Sequence, residues 1–416
     1  MTATASRPDT AVAAFRSPAT SYYLLAASTT ILVLIGLAVV LSSSSIASIR
    51  SGSGNAYSGF LVQVIALGAG LAALVLGSRM PVMFWKRMAP WLLFASIGLL
   101  GLVIASGVSV GGNQAWIRIA GFSFQPSEFA KLGLALYLGV VLSRFRHKLT
   151  NLKDVLLPGG LVAFAVIGLV LLGRDMGTAI IMAVLVAVAF WVAGAPARFF
   201  GLAAGFVGAG ALVLINMGET RIARILQWAS GSCDDIQQCW QQTHGTWALA
   251  SGGLWGLGPG MSREKWGYLP AADNDYIFAI IGEEFGLIGT LVVLAAYAMM
   301  LIAVTRIVTR STDRFAQITG AAIGAWLVVQ ACVNIAVVLE LLPVTGVPLP
   351  LVSSGGSSLI LSLAAIGVLM SLARHEPGAQ EAFKARPSVV RRSVAVMAKG
   401  RRAVQGRRRG KGTAHG

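Results

Sequence analysis

Residues 240–286 read WQQTHGTWALASGGLWGLGPGMSREKWGYLPAADNDYIFAIIGEEFG, and the run changes character along its length. It opens polar and glycine-rich; from Tyr276 onward it becomes a long apolar segment carrying Glu283 and Glu284. Asp275 stands at the junction. An ionisable side chain at the mouth of an apolar span is costly to desolvate, so its presence there points to function. Its nearest basic residue upstream is Lys265, ten positions away, and Asp273 beside it would raise its proton affinity rather than neutralise it. A partly desolvated carboxylate without a local partner is a candidate general base. Glu283, about 12 Å further along a helix at 1.5 Å per residue, is too distant to share a substrate atom with it and reads as a residue that holds helices together.

The rest of the chain sets the context. Its 416 residues are 56% hydrophobic and only 12% charged, with a mean hydropathy of +0.75. A water-soluble domain of this length does not carry so few charges, so the fold class is an all-α polytopic membrane protein. Apolar segments of near-spanning length predict ten transmembrane helices, at 22–41, 59–76, 89–110, 128–142, 155–172, 178–193, 199–215, 276–304, 315–339 and 353–372. Alternate connections hold Arg79, Lys86 and Arg87; Arg144, Arg146, Lys148 and Lys153; Arg198; and Arg306, Arg310 and Arg314, while the others are poorer in Lys and Arg. The positive-inside rule then makes both termini cytoplasmic and turns the large loop 217–275, before helix 8, to the outside. No cleavable signal peptide is expected, because the polar start 1–21 leads straight into a long apolar segment.

The resulting organisation is a cytoplasmic N-terminal tail (1–21), a membrane domain (22–373) and a basic cytoplasmic tail (374–416) that reads as disordered. The net charge of +17 is concentrated in that last tail, with twelve Lys and Arg against two Asp and Glu. Its location favours the anionic lipids of the inner leaflet, or cytoplasmic proteins, over nucleic acid. Cys332 lies in an apolar stretch and reads as a small core residue. Cys233 and Cys239 flank Asp234 and Asp235 in the large loop, where a short disulfide is possible; a metal site is disfavoured, with His244 as the one close third ligand.

Five stretches on the outward side embed polar residues among Gly, Pro and apolar residues: 111–118, 125–131, 173–178, 240–286 and 342–358. Backbone broken at membrane depth must be buried in protein or line a cavity, so five such breaks predict an outward-opening polar cavity. Glu128 and Lys131, spaced i, i+3, predict an intrahelical ion pair. Gln330 and Asn334, spaced i, i+4, suit interhelical hydrogen bonding. Trp116, Trp240, Trp247, Trp255 and Trp266 suit an aromatic belt at the membrane surface. Asp175 follows Arg174, with which it could form a local charge pair.

In order and spacing these motifs resemble the SEDS family (shape, elongation, division and sporulation), the group of FtsW, RodA and SpoVE. The resemblance covers roughly Tyr22 to Arg374. It is carried by QPSEFAK at 125–131, DMGTA at 175–179, ASGG at 250–253 with Gly256 and Gly258, Lys265 through Leu269 and Pro270 to DYIF at 275–278, GEEFG at 282–286, Asn334, and LPVTG at 342–346 through Pro350 to Ser353, Gly355, Gly356, Ser357 and Ser358. It implies a peptidoglycan glycosyltransferase of the plasma membrane that polymerises lipid II, moving the glycan from undecaprenyl pyrophosphate to the 4-hydroxyl of an incoming lipid II. The family's essential aspartate falls on Asp275. A sugar hydroxyl is a weak nucleophile, and a carboxylate in hydrogen-bond reach can take its proton. The leaving pyrophosphate calls for a cation: Lys131 and Lys265 first, then Arg118 and Arg221, or a divalent metal such as Mg or Mn. Asp175 and Ser353 fall in family motifs and are candidate substrate-binding residues.

The resemblance also implies a class B penicillin-binding protein as partner. The basic tail and the long loop lean towards the FtsW-like branch, and hence towards septal wall synthesis and further division proteins at the tail; the RodA-like branch is the alternative. The chain departs from the family at Gln114 and Ala115, where paired arginines are common, and at Arg174, His244, Glu340 and Ser354. A lipid II flippase using Asp175, Asp275 and Glu283 is a second reading; against it, the broken motifs all lie on one side, whereas alternating access needs an inward gate too. A division scaffold is a third, and it leaves Asp275 unexplained.

Overall fold

The computed structural model describes residues 17–50, 57–110, 113–119, 122–145, 156–201 and 236–385, apart from isolated positions. Helices dominate: α1 Thr20–Arg50, α2 Ser58–Arg79, α3 Val82–Ser106, α4 Pro126–Ser143, α5 Leu161–Leu172, α6 Met176–Ala193, α7 Ile236–Gly252, α8 Ile277–Arg310, α9 Arg314–Val338, α10 Gly356–Arg374 and α11 Ala379–Ala385. Among the described residues seven of them (α1, α2, α3, α6, α8, α9 and α10) are long and apolar enough to cross a membrane. The expected segment at 128–142 is the wholly helical α4, and that at 155–172 is a π-helical turn at Leu156–Gly160 running into α5. The expected segment at 199–215 lies largely outside the described residues.

The bundle centres on α4, α9 and α10, whose side chains are buried on nearly every face. Around them α2 packs on α10, α3 on α4, α6 on α9, and α8 between α1 and α9. The periphery is apolar and exposed, as at Leu61, Ile65 and Leu76 of α2 and Trp91 and Phe94 of α3, which is the surface a bilayer requires.

Four expectations need correction. The chain is not wholly helical. Three short strands, β1 Val108–Val110, β2 Asn113–Ile119 and β3 Phe122–Phe124, form an antiparallel sheet in the order β1-β2-β3. Alternation in VSV, WIRI and FSF suits strands, and Gly107 ends α3 in an extended conformation, so the third helix stops before the expected 110. Secondly, the first helix does not stop at the expected 41; the serine run 42–45 continues α1. Ser43 Oγ bonds back to Val39 O at 2.9 Å and Ser45 Oγ to Leu41 O, which lets serine persist in a helix. Thirdly, the expected disordered tail contains a helix, α11, whose Phe383 packs on the rings of Tyr22 and Tyr23. Fourthly, Cys332 is exposed, on the outer side of α9.

The described part of the large loop is also organised. α7 lies along the start of α8, and the two approach so closely that glycines are required where they touch. α8 itself is broken at Gly286 (φ 64°, ψ −161°), a conformation essentially reserved for glycine. A Cβ there would strike the main chain at Gly256 N and Leu254 O. The segment 253–258 supplies what the break removes. Leu257 N and Gly258 N donate to Glu283 O and Glu284 O at 2.9 and 3.0 Å, and Gly253 O and Leu254 O accept from Leu287 N and Ile288 N at 3.0 and 3.4 Å.

Candidate active site

Asp275 ends a loop whose main chain is held at three successive carbonyls. Asp273 O accepts from Ser354 N at 2.8 Å, Asn274 O from Ser353 Oγ at 2.7 Å, and Asp275 O from Asn334 Nδ2 at 2.8 Å. The donors belong to the irregular strap 339–355 and to α9. The strap is itself pinned: Gln330 Nε2 donates to Pro348 O at 2.9 Å, Asn334 Nδ2 also to Val347 O at 2.8 Å, and Ser353 Oγ accepts from Leu349 N at 2.8 Å. From α2, Gln63 closes the far end, donating to Ser353 O at 3.2 Å and accepting from Gly355 N at 3.3 Å. Broken backbone at this depth must find such partners.

The carboxylate of Asp275, by contrast, has a buried Oδ1 with no hydrogen-bond partner. Burial pushes its pKa up to about 6, helped by the negative charges of Asp273 and then Asp175. A carboxylate with a vacant oxygen and a pKa near neutrality is suited to accept a proton.

Asp175 is the N-cap of α6. Its Oδ1 accepts from Thr178 N at 3.1 Å, and its Oδ2 from Gln125 Nε2 at 3.0 Å and Ser127 Oγ at 3.5 Å. An Asp at an N-cap also meets the positive end of the helix dipole. This capping role, rather than charge alone, explains an acidic residue ahead of an apolar helix. Beside it Lys131 Nζ makes the expected ion pair with Glu128 at 2.7 Å, both side chains being almost wholly buried. Lys131 also donates to Gln330 Oε1 at 2.7 Å and lies over the Trp326 ring at 4.8 Å. Trp326 Nε1 reaches the same Gln330 oxygen at 2.8 Å, and Ser358 Oγ reaches Glu128 Oε2 at 3.5 Å.

The structure thus gathers Asp175, Asp273 and Asp275 within electrostatic reach of one another, with Ser353 in the strap that holds the loop and the Glu128–Lys131 pair beside Asp175. It does not bring Lys265 there. That ammonium donates to Ser42 Oγ at 2.5 Å, Gly260 O at 2.6 Å and Glu284 Oε1 at 2.9 Å, which uses its three hydrogens. Glu283 holds the same loop, accepting from Ser262 Oγ at 2.5 Å and Arg263 N at 2.8 Å. It therefore ties a loop to a helix, where helix-to-helix contact was expected. Arg118 is exposed on β2. Gln114, one of the two positions where the resemblance implies arginine, spends its amide on the carbonyls of Val103, Ile104 and Gly107 at 3.2–3.3 Å and so caps α3.

His244 is buried, with Nδ1 2.6 Å from Glu264 Oε2 and its ring against Trp240 and Trp247. Cys233, the side chain of Cys239 and Arg221 lie outside the described residues. Among the described residues no three His, Cys, Asp or Glu side chains are placed to hold a metal ion. Sequence reasoning missed Gln63, whose signal was a lone amide in an apolar helix, and Gln125 and Ser354, whose roles depend on partners remote in sequence.

Comparison with known proteins adds the following. A family model described as cell cycle protein, for FtsW, RodA and SpoVE, matches residues 22–378. A Mycobacterium tuberculosis protein named probable peptidoglycan glycosyltransferase FtsW is 36% identical over 382 residues, covering 91% of this chain and 73% of the relative. Stage V sporulation protein E of Bacillus subtilis is 33% identical over 320 residues, 75% of this chain and 86% of the relative. Among solved structures, a chain from a study of the structural coordination of polymerization and crosslinking by a peptidoglycan synthase complex is similar with a TM-score of 0.70 at 27% identity, covering 85% of this chain and 97% of that one. The rod shape determining protein RodA of Thermus thermophilus is similar with a TM-score of 0.63 at 27% identity, over 86% and 97%.

Proposed function

The chain belongs to the FtsW, RodA and SpoVE family of cell cycle proteins, and from that premise we propose that it is a peptidoglycan glycosyltransferase that polymerises lipid II. Its FtsW relatives are named probable peptidoglycan glycosyltransferases, and the site has the chemistry such a transfer needs. Asp275 Oδ1 takes the proton of the acceptor's 4-hydroxyl as that oxygen bonds to the donor's anomeric carbon. The bond from that carbon to the undecaprenyl pyrophosphate breaks, and the pyrophosphate departs as an anion. Arg118, exposed on β2, is the candidate cation for that anion, since the hydrogens of Lys265 are already committed. Lys131 acts from beneath through the Glu128–Gln330 cluster, keeping positive charge near Asp175.

A lipid-linked substrate places the reaction at the bilayer surface. The proposed topology has ten spans, both termini cytoplasmic and Asp275 on the outer face. The proposed setting is the division septum, with a class B penicillin-binding protein crosslinking the product and other division proteins at the basic tail.

One observation carries this reading: the unpartnered, buried carboxylate oxygen of Asp275 on a main chain pinned at three consecutive carbonyls. The test supplies purified full-length protein and its penicillin-binding partner with lipid II and resolves the glycan products on a gel. Wild type yields polymer and Asp275→Ala does not. Movement of lipid II across vesicles without polymer would overturn the transferase reading, and polymer from Asp275→Ala would remove Asp275 as base.

A further inference from the structure

Asp275 has a fixed main chain and an unanchored side chain, so whatever sets the direction of its Cα–Cβ bond sets the aim of the carboxylate. Of the three anchored carbonyls in the loop, one is its own, and the donor to it is Asn334 Nδ2 at 2.8 Å. Asn334 gives its other amide hydrogen to Val347 O, also at 2.8 Å. Its Oδ1 is buried with no partner. The assignment of oxygen and nitrogen follows from chemistry: the opposite orientation would set an oxygen against two carbonyl oxygens. The amide thus leaves its own acceptor unsatisfied in order to bridge the loop of Asp275 and the strap.

One turn earlier on α9, Gln330 behaves in the same way. Its Nε2 takes Pro348 O, the carbonyl next to the one Asn334 holds, and its Oε1 receives Lys131 Nζ and Trp326 Nε1. Two amides at i and i+4 therefore connect Lys131 to Pro348, and Val347 to Asp275. Amides that merely join helices would bond to helix backbone or to helix side chains. Here every donor of Asn334 goes to a non-helical segment, and one of them ends a single Cα from the carboxylate.

On the reading that Asp275 is the general base, we infer that Asn334 is its positioning residue, setting the direction of the carboxylate in register with the Lys131 cluster through the strap. Asp273 O and Asn274 O keep their own donors when Asn334 is altered, so the loop persists while the base is misdirected. Misplacement of a reacting group by about 1 Å costs about 100-fold in rate, and substrate binding is not touched.

The test uses the full-length protein and its partner with Asn334→Ala, Asn334→Ser and Asn334→Asp. Two readouts are taken: kcat and KM for lipid II, and the pH dependence of carbodiimide labelling at Asp275, read by mass spectrometry. Asn334→Ala is expected to lose about 100-fold in kcat with KM for lipid II within about twofold of wild type. Its labelling midpoint falls below about 6, because burial is the main cause of the elevated pKa and a carboxylate turned from its buried aim meets water. Asn334→Asp raises that midpoint, adding a third carboxylate to Asp273 and Asp175 around Asp275. Asn334→Ser, which keeps one donor, falls between wild type and Asn334→Ala in kcat.

A lower melting temperature with unchanged kcat per folded molecule and unchanged labelling overturns the inference, as does wild-type behaviour of both Asn334→Ala and Asn334→Asp. Should Asn334→Ala fail to fold, Asn334→Ser and Asn334→Asp carry the comparison. If wild type makes no polymer, the transferase reading falls, and the labelling midpoints still decide whether Asn334 controls Asp275.

Discussion

Lys265 and Glu284 meet as a buried ion pair 2.9 Å long, where the segment carrying Lys265 lies against the start of α8. Ser42 of α1 closes the contact, donating to Glu284 Oε1 at 2.5 Å while it accepts from Lys265. Three elements distant in sequence are thus locked by one ammonium.

Removing one partner of such a pair leaves the other charge buried. Lys265→Ala should destabilise the fold by about 3–5 kcal/mol, measured by thermal or chemical denaturation in detergent, whereas Lys265→Met with Glu284→Leu should recover most of that loss. A Lys265→Ala protein that melts like wild type but cannot turn over lipid II would return Lys265 to the list of pyrophosphate ligands.

Asp275 contributes oppositely to activity and stability. Its folded pKa of about 6 lies above the ordinary value of 3.8, so the native state binds the extra proton. The stability this confers is present at low pH and is lost as pH rises through the window from 3.8 to about 6. At pH 7 the ionised carboxylate costs stability, and Asp275→Asn should stabilise the protein by about 1–3 kcal/mol, the upper end following from 1.36 kcal/mol per pKa unit and the lower end allowing for partial exposure. The same substitution should abolish polymerisation. In wild type kcat/KM should fall about tenfold per pH unit below about 6. An acid limb near 4 would contradict the assigned environment.

The joint at Gly286 tolerates no side chain. Gly286→Ala and Gly256→Ala each place a methyl group against main-chain atoms at a positive φ (64° and 81°). Backbone strain of this kind costs about 1–3 kcal/mol, and the clash adds to it. Yields of folded protein should drop sharply for both, while Gly253→Ala, also at positive φ but with open space around it, should lose far less. Equal behaviour of the three would mean that conformation, not packing against 253–258, sets the requirement.

Glu128 and Lys131 should show strong coupling in a double-mutant cycle. Lys131→Ala alone leaves Glu128 buried and unpaired, and Glu128→Ala alone leaves Lys131 with Gln330 and the face of Trp326. Each single change should cost about 3–5 kcal/mol and the double change much less than the sum. Additive losses would show that the two charges act separately.

Several features were legible from residue order alone. Long apolar runs marked the seven helices that, among the described residues, are long and apolar enough to cross a membrane, because a helix is the only open segment that satisfies its own backbone in lipid. The spacing of Glu128 and Lys131 gave their pairing, since residues three apart share a helix face. Asp275 was conspicuous for want of a partner nearby in sequence, and the structure leaves one of its oxygens unpaired. Other features were not legible, and for a common reason. Gln63, Ser354 and Asn334 act on carbonyls supplied by segments remote from them, and nothing local to an amide says which backbone it will meet. Lys265 looked available because its acid partner lies nineteen residues away, beyond the loop of Asp275 and inside α8. The sheet Val108–Phe124 was hidden by Gly and Asn, which read as loop although the residues between them alternate.

The break at Gly286 divides α8 into a short stub beginning at Ile277 and a rod of about 36 Å that ends at Arg310. Hydrogen bonds do not run continuously from one to the other; segment 253–258 is spliced between them and takes up both loose ends. Such a joint is a mechanical filter. A tilt of the rod would have to strain the splice and α7 before it moved the stub that follows Asp275.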